Sequence, residues 1–319
     1  MAPASNSVVQ LSRNPGFRPP PGPPKTISGK LRVLARYLLG IDSVGRNIPL
    51  FPDDTLLVSF PRSGNTWLRF LIAGVAFPDR TPSFTSIEQM IPDSIVLNRR
   101  QLAQIPRPRI VKSHEYFDPR YPSVIYVVRD PRDVLLSYYN FYRKQRYIDD
   151  GYPMDQWVER FVKGDLHPFG SWGEHVGSWL GARGQNSRFL LVRYEDLQAE
   201  TDSEVRRIAE FLGVDTSADS VAKAIELASA ESMRSAEKRE TSGWGSSGKW
   251  RTDIPFVGKA VAGGWRNQLA PSFIAQIEAA WWPVMKALGY EIVSLPDAQR
   301  GTTSASPQLD LLAGAAGRT

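Results

Sequence analysis

A pattern of strand, loop and helix over residues 55–76 constrains the fold of this chain more than any other feature. A short apolar run leads into a small polar turn, and an apolar-rich helical pattern follows. Such a loop directs backbone N–H groups and the positive end of a helix dipole at one point, which suits a phosphate or a sulfate. Arg62 adds a fixed positive charge there. The loop has one Gly and no Lys, so it is not the usual ATP-binding pattern, and a tight turn with a capped helix is an equally open interpretation.

Three further apolar segments have the character of buried parallel strands. They cover Arg109–Ser113, Ser123–Val128 and Arg188–Val192, and they are short and rich in β-branched residues. Strands that alternate with helical patterns imply a parallel α/β sheet. We therefore predict a single α/β domain with a central parallel sheet flanked by helices. The predicted helices cover residues 131–144, 154–163, 171–182, 202–213 and 271–288.

The length of the chain and the composition of its two ends set the predicted domain boundaries. A chain of 319 residues can bury a large core, and one domain is favoured over two. Residues 1–29 are Pro-rich and residues 299–319 are rich in Gly, Ala, Ser and Thr, so both segments are predicted to be disordered. The folded domain is predicted over residues 30–298. Within it, residues 232–264 show little periodicity and are predicted to form a long loop.

Composition excludes several classes of protein. The absence of Cys excludes disulfides, thiolate chemistry and Cys-ligated metals. No apolar run reaches the roughly 18 residues of a membrane span, and the N-terminus lacks a signal-peptide core, so we expect no transmembrane segment and a cytoplasmic location. Residues 30–39 have apolar side chains at helical spacing with bases between them. Packing on the domain edge is favoured for this helix, and peripheral contact with a membrane is the alternative.

The net charge of +6 is not spread over the folded domain. Basic residues before residue 42 account for the whole excess, and the remaining Lys and Arg equal Asp and Glu in number. Proteins that bind nucleic acid instead carry a basic footprint on the folded surface. We therefore expect no nucleic-acid partner.

His114 is the leading candidate for a general base. The chain has three histidines, and Lys112-Ser113-His114 lies at the carboxyl end of a predicted parallel strand, where open α/β sheets bind their ligands. A lone His at a strand end is more often structural, so both interpretations stay open on this pattern alone. His167 and His175 add no spacing typical of metal ligands, and no metal site is predicted.

A second candidate anion site follows the third predicted strand. Arg129 ends that strand, so its side chain should emerge at the same edge of the sheet as Arg62. A guanidinium forms bidentate contacts with phosphate, and Ser137 could add a hydroxyl from the following helix. The run from Arg129 to Asp133 is equally compatible with a helix start bearing surface ion pairs.

Five blocks of the sequence together resemble the sulfotransferases that use 3′-phosphoadenosine 5′-phosphosulfate (PAPS). The first is similar to the family's 5′-phosphosulfate loop, the second to the strand that ends in its base, and the third to its 3′-phosphate block. The last two are similar to a further family signature and to a late Gly-rich loop. Together they extend over about residues 50–290. The blocks are Phe60–Trp67, Arg109–His114, Val127–Tyr139, Tyr194–Leu197 and Phe256–Trp265.

This resemblance implies a role for each matching residue. His114 would take the proton of the acceptor, while Lys112 and Arg62 would neutralise the negative charge that develops during sulfuryl transfer. No metal is required by this scheme. Donor binding is implied for Arg62, Ser63, Gly64, Asn65 and Thr66 at the 5′-phosphosulfate, for Trp67, Tyr194 and Ser229 at adenine, and for Arg129, Ser137, Lys259 and Gly263 at the 3′-phosphate.

The chain departs from the family pattern at several positions. Gly258 and Ala260 replace the Arg and the first Gly of the late loop, so fewer contacts with the 3′-phosphate are expected. Ala230 stands where cytosolic members have an aromatic residue against adenine, which leaves Trp67 to stack alone. Arg62 replaces a Lys and acts more as a charge than as an acid. The dimer pattern that cytosolic members have after Trp265 is absent, and no oligomeric state is inferred.

The sequence thus predicts a sulfotransferase that moves the sulfuryl group of PAPS to a hydroxyl or amine of a small-molecule or carbohydrate acceptor. One alternative is a P-loop-like nucleotide kinase, which the missing loop Lys and the lack of an evident acidic magnesium partner disfavour. The other is a non-catalytic module that binds adenine nucleotides or polyanions. Retention of Lys112 and His114 beside both anion loops argues against that module. Aromatic residues that could line an acceptor pocket are Phe84, Tyr116, Tyr139, Phe141, Tyr142 and Tyr147.

Overall fold

A computed structural model describes residues 16–18, 26–28, 31, 35, 36, 45–240, 250–258 and 261–294. Its centre is a four-stranded sheet in which every neighbouring pair of strands is parallel. The strand order is β2-β1-β3-β4, so both outer strands enter the sheet after the central β1. This confirms the predicted α/β class. The strands are β1 Thr55–Ser59, β2 Ile110–Ser113, β3 Ser123–Val128 and β4 Phe189–Arg193.

Alternate residues of the central strands pack into two separate apolar cores. Leu56 and Val58 belong to one core, and Leu57, between them, belongs to the other. Successive side chains of a strand point to opposite faces, so the two cores lie on the two faces of the sheet. Burial on both faces explains why these strands are apolar throughout rather than alternating in polarity.

Helices cover both faces of the sheet. The helices predicted over residues 131–144, 154–163, 171–182, 202–213 and 271–288 are all present, with ends that differ by at most one residue. Within the described part of the chain, no helix is both long and apolar enough to cross a membrane. The helices are α1 Asn65–Ala76, α2 Ile87–Met90, α3 Arg99–Ala103, α4 Pro131–Lys144, α5 Met154–Lys163, α6 Trp172–Arg183, α7 Tyr194–Ala199, α8 Thr201–Leu212, α9 Ala218–Leu227, α10 Ala230–Glu240 and α11 Pro271–Ala287.

The prediction of a loop over residues 232–264 is wrong in its first part, because α10 runs to Glu240. Only Met233 and Ala236 of this helix are buried, so its apolar stripe is too narrow to give a periodic signal. Its other side chains are mostly charged residues that favour helices, and this propensity was the signal available in the sequence. Residues 250–258 and 261–263 are irregular, as predicted, whereas residues 241–249 and 259–260 lie outside the described residues.

Most of the predicted disordered segment 1–29 and all of residues 299–319 lie outside the described residues. Phe17 is described, and it forms an antiparallel bridge with Ile148 and a ring contact with Tyr152, with centroids 6.0 Å apart. A residue N-terminal to the predicted boundary at residue 30 therefore docks on the domain. Of residues 30–39, the described Leu31 is helical and 60% exposed.

Candidate active site

The loop between β1 and α1 has an unusual backbone. Arg62 and Gly64 both have positive φ, of 69° and 96°. A Cβ atom on Gly64 would lie 2.4 Å from Cδ2 of Tyr194, so this position requires Gly both for its conformation and for space. Ser63 Oγ and Asn65 Oδ1 are buried and have no hydrogen-bond partner among the described residues. Such buried polar atoms are typical of a site that a polar ligand completes, and the loop fits a phosphosulfate.

Arg62 lies where the loop meets α4. Its Nε donates to Ser137 Oγ at 3.2 Å, so these two predicted donor-binding residues are in contact. The guanidinium also stacks over the rings of Phe141 and Phe256, 4.6 and 4.9 Å from their centroids. Burial, and then the charge of Arg129, lower the pKa of Arg62 to about 10, which leaves it a cation at neutral pH.

Arg129 follows β3 and contacts three elements. Its Nη2 donates to the carbonyl of Val261 at 3.0 Å and lies 3.8 Å from Asp133 Oδ2. The guanidinium stacks over the ring of Tyr194, 4.2 Å from its centroid. Its Nε is buried and has no partner within the described ranges. The guanidinium therefore retains a donor suited to a phosphate oxygen.

Two of the three residues predicted at adenine lie together. Trp67 on α1 makes a T-shaped contact with Tyr194, with ring centroids 5.6 Å apart. Ser229 is used differently, because its Oγ accepts a hydrogen bond from the Ser232 backbone N–H at 3.2 Å. The Ser229 hydroxyl thus caps the start of α10, and its role at adenine stays a prediction.

Asp133 on α4 fixes the late loop, a role that the sequence did not indicate. Gly263, at a φ of 74°, donates its backbone N–H to Asp133 Oδ2 at 2.7 Å, and Trp265 N–H donates to Oδ1 at 3.0 Å. Burial raises the pKa of Asp133. The predicted Lys259 lies outside the described residues, between this anchored turn and Gly258, whose carbonyl accepts a bond from Arg234.

The C-terminal end of α4 anchors the segment that precedes this loop. The ammonium of Lys144 is buried and donates to the carbonyls of Arg251 at 3.1 Å and Ile254 at 2.6 Å. Glu237 on α10 accepts the backbone N–H of Phe256 at 2.6 Å. These contacts hold Phe256 over Arg62. The ammonium of Lys144 also lies 3.4 Å from Oε1 of Glu237, so its charge is paired.

His114 lies at the end of β2 with its proton placement fixed. Its Nδ1 lies 2.7 Å from the carbonyl oxygen of Ser59, which can only accept, so Nδ1 carries the proton and Nε2 carries a lone pair. Burial, and then the charge of Lys112, lower the pKa of His114 to about 3. His175 also holds the backbone of this residue, because its Nε2–H donates to the His114 carbonyl at 3.0 Å. A neutral imidazole with a fixed lone pair has the form that a general base needs.

The predicted catalytic Lys112 forms a buried ion pair. Its Nζ lies 2.5 Å from Oδ2 of Asp93, and both side chains are largely buried. No sequence pattern singled out Asp93, which lies between α2 and α3. Among the described residues, no group of three or more His, Asp or Glu could hold a metal ion.

Comparison with known proteins identifies the family. Residues 52–289 match the family model described as a sulfotransferase domain, and the chain belongs to this family. It is 29% identical over 257 residues to sulfotransferase 1E1 of Rattus norvegicus, covering 74% of this chain and 84% of that protein. It is 30% identical over 238 residues to sulfotransferase 2B1 of Mus musculus, covering 71% of this chain and 69% of that protein. The protein is therefore an enzyme, a PAPS-dependent sulfotransferase, and neither a kinase nor a simple binding module is favoured.

Solved structures show the same fold. Mouse sulfotransferase SULT7A1, complexed with PAP, has a TM-score of 0.61 and 24% identity, and the match covers 75% of this chain and 86% of that chain. Retinol dehydratase, in complex with androsterone and the inactive cofactor PAP, has a TM-score of 0.60 and 22% identity, covering 82% and 88%.

Proposed function

We propose that this enzyme transfers the sulfuryl group of PAPS to a hydroxyl of a small, largely apolar molecule, with His114 as the general base. The observation that carries the proposal is the bond from His114 Nδ1 to the Ser59 carbonyl at 2.7 Å. It fixes the lone pair on Nε2 at the carboxyl edge of the sheet, where the loop that holds Arg62 also begins. Lys112 lies two residues before this base, on the strand that ends at Ser113.

The donor half of the site is built from two anion-binding regions. In the first region, the loop between β1 and α1, Ser63 Oγ and the backbone N–H groups of α1 face the 5′-phosphosulfate of PAPS. Arg62 supplies positive charge there. Around the second, Arg129 and Ser137 bind the 3′-phosphate. Trp67 and Tyr194 enclose the adenine. Each role rests on the placement of these side chains around the two loops.

The charges of the site suit sulfuryl transfer by in-line displacement. As the acceptor oxygen bonds to sulfur, the bond from sulfur to the phosphate oxygen breaks and negative charge passes to the leaving PAP. His114 Nε2 takes the hydroxyl proton in this step, while Arg62 and Lys112 stabilise the oxygens that carry the charge. PAPS supplies only the activated sulfuryl group.

Aromatic side chains beside the base favour an apolar acceptor. Phe169 lies 5.8 Å from the His114 ring, measured between centroids. On the Arg62 side, the rings of Phe141 and Phe256 lie against the guanidinium, with centroids 4.6 and 4.9 Å from its Cζ. Rings on both sides of the reacting groups suit a flat or apolar alcohol better than a charged sugar. The androsterone bound by retinol dehydratase supports this choice.

The proposal is tested by titration calorimetry with PAP, 5′-AMP and ATP on the wild type and on His114→Ala. We expect PAP alone to bind tightly to both proteins, because the base does not hold the nucleotide. Sulfuryl transfer from PAPS to a panel of phenols and alicyclic alcohols should then occur only in the wild type. Equal binding of ATP and PAP, or full activity in His114→Ala, would contradict the proposed roles.

A further inference from the structure

The ammonium of Lys112 is paired with a buried carboxylate. Its Nζ lies 2.5 Å from Asp93 Oδ2, with the Lys side chain 11% and the Asp side chain 6% exposed. The nearby cation Arg62 forms no ion pair with a described carboxylate within 4 Å, whereas Arg129 lies 3.8 Å from Asp133. Lys112 therefore has the tightest counter-ion among the three cations assigned to the reaction.

The position of Asp93 is fixed on both sides of its backbone. Lys112 N–H donates to the carbonyl of Pro92 at 2.8 Å, and Ser94 N–H donates to the carbonyl of Lys112 at 3.0 Å. Residues 92–94 thus run along the outer edge of β2 as a short parallel partner.

The carboxylate itself is also held. Its Oδ1 accepts the backbone N–H of Ile95 at 3.1 Å, while its Oδ2 faces the ammonium of Lys112. Because both carboxylate oxygens are bonded, the Asp93 side chain is held in one orientation. The Lys112 ammonium therefore keeps the same carboxylate as its neighbour. The charge of Asp93 also acts on His114, whose pKa it raises against the opposite effect of Lys112.

We propose that Asp93 is a positioning residue that holds the Lys112 ammonium next to His114 and offsets its charge in the ground state. An ammonium has three N–H donors, and Asp93 occupies one, so Lys112 can still donate to a sulfuryl oxygen. The offset charge contributes little to binding of the donor and contributes more when negative charge grows during transfer. Interactions that strengthen only in the transition state raise the rate, whereas equal stabilisation of the ground state does not.

This inference rests on the proposed function, because it places the sulfuryl group near Lys112. It predicts a difference between PAPS and PAP, since only PAPS carries that group. Removing the carboxylate charge should make the ammonium a stronger ligand for the sulfuryl oxygens. Asn at position 93 keeps the oxygen that accepts from Ile95, so the edge of β2 should be preserved.

The test is calorimetric titration of PAPS and of PAP into the wild type and Asp93→Asn. We expect PAPS to bind roughly three- to tenfold more tightly to the variant, and PAP to change by less than about twofold. Asp118→Asn is the matched control, because Asp118 is also a buried carboxylate and pairs with Arg120. Its ratio of PAPS to PAP affinity should equal that of the wild type.

A double-mutant cycle with Lys112→Met separates the proposed role from a purely structural one. In the Lys112→Met background, Asp93→Asn should no longer change the affinity ratio. An unchanged ratio in Asp93→Asn, a parallel loss of affinity for both nucleotides, or a shift that persists without Lys112 would overturn the proposal. If Asp93→Asn does not fold, Asp93→Glu is used and should retain the wild-type ratio. Failure of the proposed function is distinct, because it would appear as equal binding of ATP and PAP by the wild type or as full activity in His114→Ala.

Discussion

His114 and His167 both contact the ring of Phe169, and they hold opposite tautomers. His114 Nδ1–H donates to the Ser59 carbonyl at 2.7 Å, whereas His167 Nδ1 accepts the backbone N–H of Phe169 at 3.0 Å. Burial lowers both pKa values to about 3, so both rings are neutral. The Nε2 of His114 is therefore an acceptor and the Nε2 of His167 a donor.

This difference predicts unequal effects of the two substitutions. His114→Asn should lower the rate of sulfuryl transfer by about 100- to 10,000-fold, because the general base is lost. His167→Asn should lower it by less than about tenfold, since a donor at Nε2 cannot take the proton of the acceptor. The measurement is the kcat of each variant, with PAP affinity as the check on the donor site. Similar losses in both variants would contradict the assignment of His114 as the base.

Arg129→Ala should weaken binding of PAP but not of 5′-AMP, because only PAP carries a 3′-phosphate. Loss of a charged hydrogen bond of about 1.5–3 kcal/mol corresponds to roughly 10- to 150-fold in affinity. Titration calorimetry with PAP and with 5′-AMP measures this loss of affinity. Arg206→Ala is the control, since Arg206 pairs with Asp202 on α8. An equal loss for AMP would place Arg129 elsewhere than the 3′-phosphate.

Asp133→Asn should loosen the late loop. Asn has one acceptor oxygen, so the N–H of either Gly263 or Trp265 loses its partner. We expect faster hydrogen exchange at residues 263–265 and PAP affinity lowered about five- to tenfold, as for one net hydrogen bond. The exposed Asp219 provides the control variant Asp219→Asn. Unchanged exchange in the loop would show that Asp133 does not fix it.

Gly64→Ala should disrupt the donor loop. The added methyl would lie 2.4 Å from Tyr194 Cδ2, at a φ of 96°. Backbone strain of this kind costs about 1–3 kcal/mol, and displacement of Tyr194 should weaken PAP binding as well. Gly181→Ala, in the open on α6, should leave the thermal midpoint unchanged or slightly raised. Equal midpoints and PAP affinities for Gly64→Ala and the wild type would show that the loop tolerates a side chain.

The three histidines predict loss of stability in mild acid. Burial lowers their pKa values to about 3, 3 and 4, so the folded state stays unprotonated where the unfolded state binds protons. Stability is complete above the unfolded pKa near 6.5 and declines as pH falls toward the folded values, by up to about 1.4 kcal/mol per pH unit for each histidine.

Urea unfolding between pH 6.5 and 4.5 measures this dependence. Burial raises the pKa values of Asp133 and Glu195, so these two groups make the folded state more stable as pH falls. The contribution of a histidine is therefore measured as the difference in the pH dependence of the unfolding free energy between the wild type and His167→Gln. In the variant, the unfolding free energy should depend less steeply on pH, by the contribution of one histidine. The same slope in both proteins would show that His167 is not held neutral by the fold.

Sequence patterns sufficed where local chemistry decides the structure. Asp130 caps α4 by accepting the Arg132 backbone N–H, Pro131 occupies its first position, and the helix has the predicted bounds 131–144. The residues of β3 are apolar throughout because both faces are covered, and the predicted bounds match those of the strand.

The remaining features depend on contacts between distant segments. Asp93 and Lys112 are 19 positions apart, and their pairing follows from the course of the chain along β2 rather than from any local pattern. The link from Asp133 to Gly263 spans 130 positions. At Ser229 the structure adds a local role as a helix cap, while the contact with adenine that the family resemblance implies stays a prediction.

The contacts of α4 with the C-terminal segment have a consequence for exchanging parts between relatives. Asp133 near the start of the helix holds residues 263–265, and Lys144 at its end holds residues 251–254. The two anchors are separated by about 16 Å of helix, at 1.5 Å per residue. A chimaera that replaces the C-terminal segment alone would lose these contacts between α4 and the segment. One that transfers α4 and residues 250–265 together would keep them.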